Sequence, residues 1–391
     1  MSVADKLATI AENEQKVYDA GYAKGQSEGG NCEKNHLSDI TDWRYFFDGN
    51  NSEDGMTATR GDTLANLQYS DTSGGVNFSN MFTNCGKINA NTNFTTAPEM
   101  DVSNGENFMR MFAQCSNLTT VPNLDTSKGT NFSSMFYQCS NLVNVGEIDT
   151  SNGTNFQQMF HGCSSLVNVP EIDTSNGTTF QSMFHSCSCL TEQPLVDVRG
   201  ATSMRSMFHG CSSIPSFELD VSGSGEFAGM FQNCTKATSI ILHNQTRSGD
   251  LGSMFRNCSS LIIAPELDTS AASILDYTFS GCNKLTKIPR INFTNFTSSR
   301  KLATYARSVF SGCVSLVEIG FEGAIHITGS LTTFLTASPN LDQATLHKMI
   351  DCFSDNSALS ATYVVGIGST NLAKISAEYL EIATAKNISL Q

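Results

Sequence analysis

Apolar residues recur in one fixed phrase along the middle of the chain. Between Thr130 and Cys139 they stand at Phe132, Met135, Phe136 and Cys139, the i, i+3, i+4, i+7 spacing that predicts one apolar face of a short helix. Thr130 or Asn131 is its predicted N-cap. The stretch that follows carries Leu142, Val145 and Ile148 and is broken by Gly146, or in sister units by Pro122 and Pro170. It predicts a short extended strand. Asp-Thr-Ser-(Asn or Lys)-Gly then supplies turn chemistry, with an Asp side chain accepting from backbone N–H groups and a Gly free to take positive φ.

This phrase repeats. Met-Phe pairs at 81–82, 111–112, 135–136, 159–160, 183–184, 207–208, 230–231 and 254–255 are each followed by Cys three residues after the Phe. Thr278-Phe279 and Val309-Phe310 are degenerate copies. The cysteines therefore fall at 85, 115, 139, 163, 187, 211, 234, 258, 282 and 313, a period of about 24 residues. Such a unit cannot bury its apolar face alone, so the register predicts one supersecondary element stacked ten times. The predicted fold class is an α/β solenoid, each coil a short strand, a turn and a short helix.

The Met-Phe-x-x-Cys-x-x-Leu core with its following Asp-Thr-Ser resembles the BspA-like leucine-rich-repeat surface proteins of bacteria, over roughly residues 77–330. Units ending at Cys234, Cys282 and Cys313 lose the Asp-Thr-Ser or the Met, which predicts an irregular C-terminal third. The resemblance implies a binding scaffold, not an enzyme. The flanks, Leu7–Gly30 and Gly366–Gln391, are similar to those of leucine-rich-repeat proteins encoded by phages and prophages of gut Firmicutes, some beside tail genes.

Residues 1–30 predict a helix and linker, with a seam at Val3, Leu7, Ile10, Glu14, Val17 and Gly21 that suits self-association into a homo-oligomer or attachment to a partner. Gln26–Asn31 reads as the linker. Residues 31–76, with Trp43, Phe46 and Phe47, predict an N-terminal cap. Residues 77–330 form the solenoid and 331–391 a C-terminal cap: a helix through Leu341, Leu346, Met349, Ile350 and Phe353, a strand over 362–367 and a last helix over 376–386.

Composition narrows the partners. Charged residues are only 15% of the 391 and the formal net charge is −14, with no basic run to neutralise phosphates, so nucleic acid is excluded as a partner. No apolar stretch approaches the roughly 20 residues needed to span a bilayer, which excludes membrane insertion. The acidic start, with Asp5, Glu12 and Glu14, lacks the basic and apolar regions of a secretory signal. Cytoplasmic synthesis, then a virion or an extracellular location after lysis, is the expectation.

Four columns of residues carry candidate chemistry. One thiol per coil on an apolar face fits a buried, reduced side chain better than a zinc site, which needs convergent ligands. Cys189 stands in the usual Asn or Ser slot. His161, His185 and His209 share a slot expected in a last helical turn, where a cation is favoured, rather than a metal site. Asp101, Asp125, Asp149, Asp173, Asp197, Asp220 and Asp268 read as turn caps, since their context departs from the calcium-loop pattern. Glu147, Glu171 and Glu266, with Asn123, recur two residues before that Asp. Two readings of this row stay open: a solvated face, or a recognition strip for a carbohydrate or a cationic protein.

No Gly-x-Ser-x-Gly, His-Glu-x-x-His or P-loop occurs. The expectation is a non-enzymatic binding protein without cofactor, attached to virion tail components and recognising a host cell-surface protein or carbohydrate. The alternative is a bacterial leucine-rich-repeat adhesin or interaction scaffold.

Overall fold

The computed structural model describes residues 41, 72–85, 94–223, 226–245, 249–296, 302–327, 330–355 and 362–391. The expected N-terminal helix, the Gln26–Asn31 linker and the Trp43, Phe46 and Phe47 cap lie outside the described residues. The chain divides into two compact units, Met1–Gly177 with Pro194–Val196, and Thr178–Gln193 with Asp197–Gln391. Both are built from the same stacked coil, and the architecture is a β-solenoid of about 10 turns at ~24-residue spacing.

The segment read as a helix is a run of turns. Met135, Tyr137 and Cys139 N–H donate three residues back, to Phe132, Ser134 and Phe136 carbonyls at 3.2, 3.0 and 3.2 Å. The alternate N–H groups of Phe132, Ser134, Phe136 and Gln138 donate instead to the next coil, at Asn155, Gln157, Met159 and His161, over 3.0, 2.8, 2.9 and 2.6 Å. A helix turns every N–H back upon its own segment. Here half of them hold the neighbouring coil, and every backbone donor is still satisfied. The geometry requires positive φ at two slots per coil, Ser134 at 57° and Gln138 at 56° in this one. Such turns present residues i, i+3, i+4 and i+7 to one side as a helix does. Phe132, Met135, Phe136 and Cys139 are accordingly all buried, without a helix.

Core rings stack along the solenoid. In the first unit Phe82, Phe112, Phe136 and Phe160 lie 5.3, 5.7 and 5.3 Å apart, centroid to centroid. A second stack of Phe78, Phe108, Phe132 and Phe156 runs at 5.8, 5.6 and 5.8 Å. The second unit carries Phe184, Phe208, Phe231, Phe255 and Phe279 at 5.5, 6.0, 5.8 and 5.4 Å.

Strands are short, parallel and paired coil to coil. In the first unit β1 (Thr120–Val121) pairs β2 (Asn144–Val145). In the second, β3 (Ser216–Asp220) pairs β4 (Ser239–His243), and β5 (Lys287–Asn292) pairs β6 (Glu318–Glu322) with a register shift between Ile288 and Ile291. The α1 turn (Leu302–Tyr305) precedes β6.

The chain ends in α2 (Gln343–Cys352), β7 (Tyr363–Val365), α3 (Ser369–Leu372), α4 (Ala377–Ala385) and β8 (Ile388–Leu390), the last paired with β7. Asp342 caps α2, its Oδ1 accepting from Thr345 N–H at 2.7 Å. Leu346, Met349 and Ile350 on α2 are buried. Lys386 Nζ donates to the Ile350, Asp351 and Phe353 carbonyls at 3.1, 3.0 and 2.8 Å, closing the C-terminal end of α2 where cations are favoured.

Candidate functional site

Each residue of the Asp-Thr-Ser-Asn-Gly turn has a structural task. Asp149 Oδ1 accepts from Ser151 N–H at 2.9 Å and from Ser151 Oγ at 2.7 Å. Thr150 Oγ1 donates to the Asp173 carbonyl of the next coil at 2.8 Å, and Asn152 Nδ2 to the Ser127 carbonyl of the preceding one at 2.7 Å. Gly153 admits the Phe156 ring, since a Cβ there would lie 2.5 Å from its Cζ. Asp101, Asp125, Asp173, Asp197, Asp220 and Asp268 likewise accept from the N–H two residues on. The Ser127 and Ser151 hydroxyls hold the Asp125 and Asp149 carboxyls below the usual carboxylate range. Each carboxylate of the Asp column is thus engaged by its own turn, although Asp101, Asp125, Asp149 and Asp173 are exposed.

The thiol column is buried from Cys85 to Cys313, and none of its cysteines is joined in a disulfide. Cys139 Sγ donates to the Phe112 carbonyl at 2.9 Å, and Cys163 Sγ to Phe136 at 3.1 Å. Cys211, Cys234, Cys258, Cys282 and Cys313 repeat the contact in the second unit. Burial pushes the Cys139, Cys258 and Cys313 thiols up to about 12. Cys189 is exposed, in the slot the repeat gives to Asn or Ser. Among the described residues no group of three or more His, Cys, Asp or Glu could hold a metal ion.

The histidine slot closes the second of the tandem turns, its N–H donating three residues back, so the expected helix-terminal cation is corrected. In the first unit His161 stacks on Tyr137, centroids 4.8 Å apart. In the second, His185 and His209 lie 4.3 Å apart, Ser186 Oγ sits 2.9 Å from His185 Nδ1, and Asn233 Nδ2 is 3.1 Å from His209 Nε2. Burial lowers both imidazoles, and the neighbouring His185 charge adds to the effect at His209, which falls to about 4. The slot favours a neutral ring.

The Asn123, Glu147, Glu171 and Glu266 row does not form one cluster. Asn123, Glu147 and Glu171 are exposed at equivalent places in three successive coils of the first unit, while Glu266 belongs to the second. Asn123 is also a clamp, its Oδ1 accepting from Glu147 N–H at 2.9 Å. Near Glu266 the charge is compensated: Arg290 pairs with Glu322 at 2.6 Å, and Asp268 and Glu266 add weakly to the same field.

Sequence reasoning missed the apolar half of this face. Val143 and Val167 are each 39% exposed beside the exposed Asn144 and Asn168. In the second unit Ile262 and Ile263 are 48% and 51% exposed. The available signal was a β-branched residue directly after the buried Leu, as Val143 follows Leu142, Val167 follows Leu166 and Ile262 follows Leu261.

Two family profiles match the chain. The family described as Mycoplasma protein of unknown function, DUF285, matches residues 30–142 and 106–222. The BspA type leucine rich repeat region, in 6 copies, matches residues 202–290. No curated protein sequence matches.

Among solved structures, a leucine rich cell surface protein from Faecalibacterium prausnitzii is 18% identical, with 64% of this chain and 76% of that one covered and a TM-score of 0.33. A leucine-rich repeat protein from Bacteroides ovatus is 15% identical over 80% of each chain, TM-score 0.33. The chain in a TLR13–ssRNA13 complex is 13% identical over 84% of this chain, TM-score 0.30, and this chain spans 44% of its length. The chain is a β-solenoid of stacked coils in which residues 202–290 match BspA-type leucine-rich repeats.

Proposed function

We propose that this is a non-enzymatic binding protein whose first unit recognises a cell-surface protein or carbohydrate through the exposed row that recurs once per coil. The observation that carries the reading is the aligned row of Asn123, Glu147 and Glu171, exposed once per coil and flanked by exposed Val143 and Val167. A strip that alternates carboxylate, amide and aliphatic groups at a fixed repeat suits a ligand that is itself extended. Aliphatic groups supply area to bury on binding, and polar groups fix orientation. We further propose that the carrier is a phage or prophage tail, on the similarity of the flanking segments, with residues 1–30 attaching or oligomerising the protein. A bacterial adhesin would use the same strip.

Substituting Glu147 and Glu171 together by Ala tests the reading on whole Firmicute cells. Binding is expected to fall while melting stays nearly constant, because exposed charges contribute little to stability. Unchanged binding would remove the strip from this account. Tail genes beside this one would support the phage carrier, and their absence the adhesin.

A further inference from the structure

We propose that Asn152-Gly153 and Asn176-Gly177 are sites of spontaneous covalent modification that the stacked fold holds closed, and that reaction there stops an opened coil from restacking. Asn-Gly is the dipeptide most open to this chemistry, because glycine has no side chain to obstruct its backbone nitrogen from the preceding side-chain carbon. The Gly nitrogen, having lost its proton to base, attacks Asn Cγ. An N–Cγ bond forms, the Cγ–Nδ2 bond breaks, and ammonia leaves with the proton it needs. Water then opens the cyclic imide at either carbonyl, giving aspartate or isoaspartate.

Both reacting groups are restrained here. Gly153 N–H donates to the Thr150 carbonyl at 2.7 Å, and Gly177 N–H to Thr174 at 2.8 Å. The attacking nitrogen is therefore held in its protonated form. Asn152 Nδ2 donates to the Ser127 carbonyl at 2.7 Å and Asn176 Nδ2 to Ser151 at 2.8 Å. Ser127 and Ser151 sit one coil away, so these restraints exist only while the coils are stacked. Both Asn side chains are exposed, and water reaches them.

The products do not fit the site they came from. An aspartate at 152 would turn an acceptor toward the Ser127 carbonyl. An isoaspartate inserts one extra backbone atom before Gly153, which breaks the turn geometry that brings Gly153 N–H to the Thr150 carbonyl at 2.7 Å. The coil that carries Lys128 in the Asn slot has no amide to lose and serves as an internal control.

Peptide mapping of the full chain at mildly alkaline pH, in native buffer and in denaturant, tests the proposal. Conversion at 152 and 176 is expected to be at least about tenfold slower in native buffer, as for any reaction gated by local opening. Equal rates would overturn it. A second measurement needs no refolding: Phe156→Ala should accelerate conversion of Asn152 in native buffer, and an unchanged rate would sink the gating. If protein refolds after brief denaturation, molecules bearing isoaspartate at 152 or 176 should be missing from the refolded fraction after long denaturation. Their presence in equal share would overturn the block on restacking.

Discussion

The Cys139 thiol donates to the Phe112 carbonyl of the preceding coil at 2.9 Å, and that carbonyl also accepts from Cys115 N–H at 3.2 Å. Both lone pairs of one buried oxygen are thereby used. Cys139→Ala removes the donor and leaves a small void, and should cost about 1–3 kcal/mol. Cys139→Ser keeps a donor and should cost less. Chemical denaturation of both variants checks the order; equal losses would show that volume alone matters.

Alkaline pH should unfold the stack. Burial raises the folded thiols to about 12 for Cys139, Cys258 and Cys313, above the unfolded value of about 8.5. The folded state thus holds protons that the unfolded state releases. Stability is full below the unfolded value and is lost as pH rises through the folded one, by about 1.4 kcal/mol per pH unit for each such thiol in that window. Melting followed from pH 8 to about 11 reads the slope, and a flat profile contradicts the buried column. In native buffer at neutral pH, alkylation should spare the column and label Cys189.

Acid acts on the histidines with the opposite sign. His209, held near 4 by burial and by His185, is neutral in the fold and protonates first in the unfolded chain. Its contribution is present above about 6.5 and declines as pH falls toward 4. His209→Asn should flatten the melting profile across that window, and an unaltered profile would disprove the coupling.

Replacing Phe160 by Ala should cost about 3–5 kcal/mol as a core cavity. The loss should be local, since each coil touches only its neighbours. Hydrogen exchange should quicken around Phe136, its stacking partner at 5.3 Å, and a uniform change along the chain would contradict this.

Gly153→Ala places a methyl 2.5 Å from the Phe156 ring and should cost about 1–3 kcal/mol by overpacking. Phe156→Leu should recover part of that in the double variant. Additive losses in a double-mutant cycle would show that the ring is not the obstacle.

The repeat, its period and its buried residues were legible in the sequence because Phe, Met and Cys recur where burial demands them. The Asp cap at positions such as Asp149 was legible too, since an Asx turn is local. The helix was misread because two tandem turns and one helix share the same apolar spacing. Gly162, Gly210, Gly281 and Gly312, all at positive φ, stand in one slot with Asn84, Asn233 and Asn257. That recurrence was the signal for turns. The row of Asn123, Glu147 and Glu171 could be aligned by counting, but its outward direction could not, because Pro122, Gly146 and Pro170 interrupt strand alternation.

The lacing bonds have a consequence for how such a chain changes length. Thr154 reaches Thr130 across 24 residues, as Thr202 reaches Thr178 and Thr286 reaches Ile262. Each bond is specified by an offset, not by a particular partner. Excision or duplication of one whole period therefore joins slots that already match, and a recombination event leaves no scar in the hydrogen-bond pattern. Length becomes a quantity that selection can adjust in units of one coil.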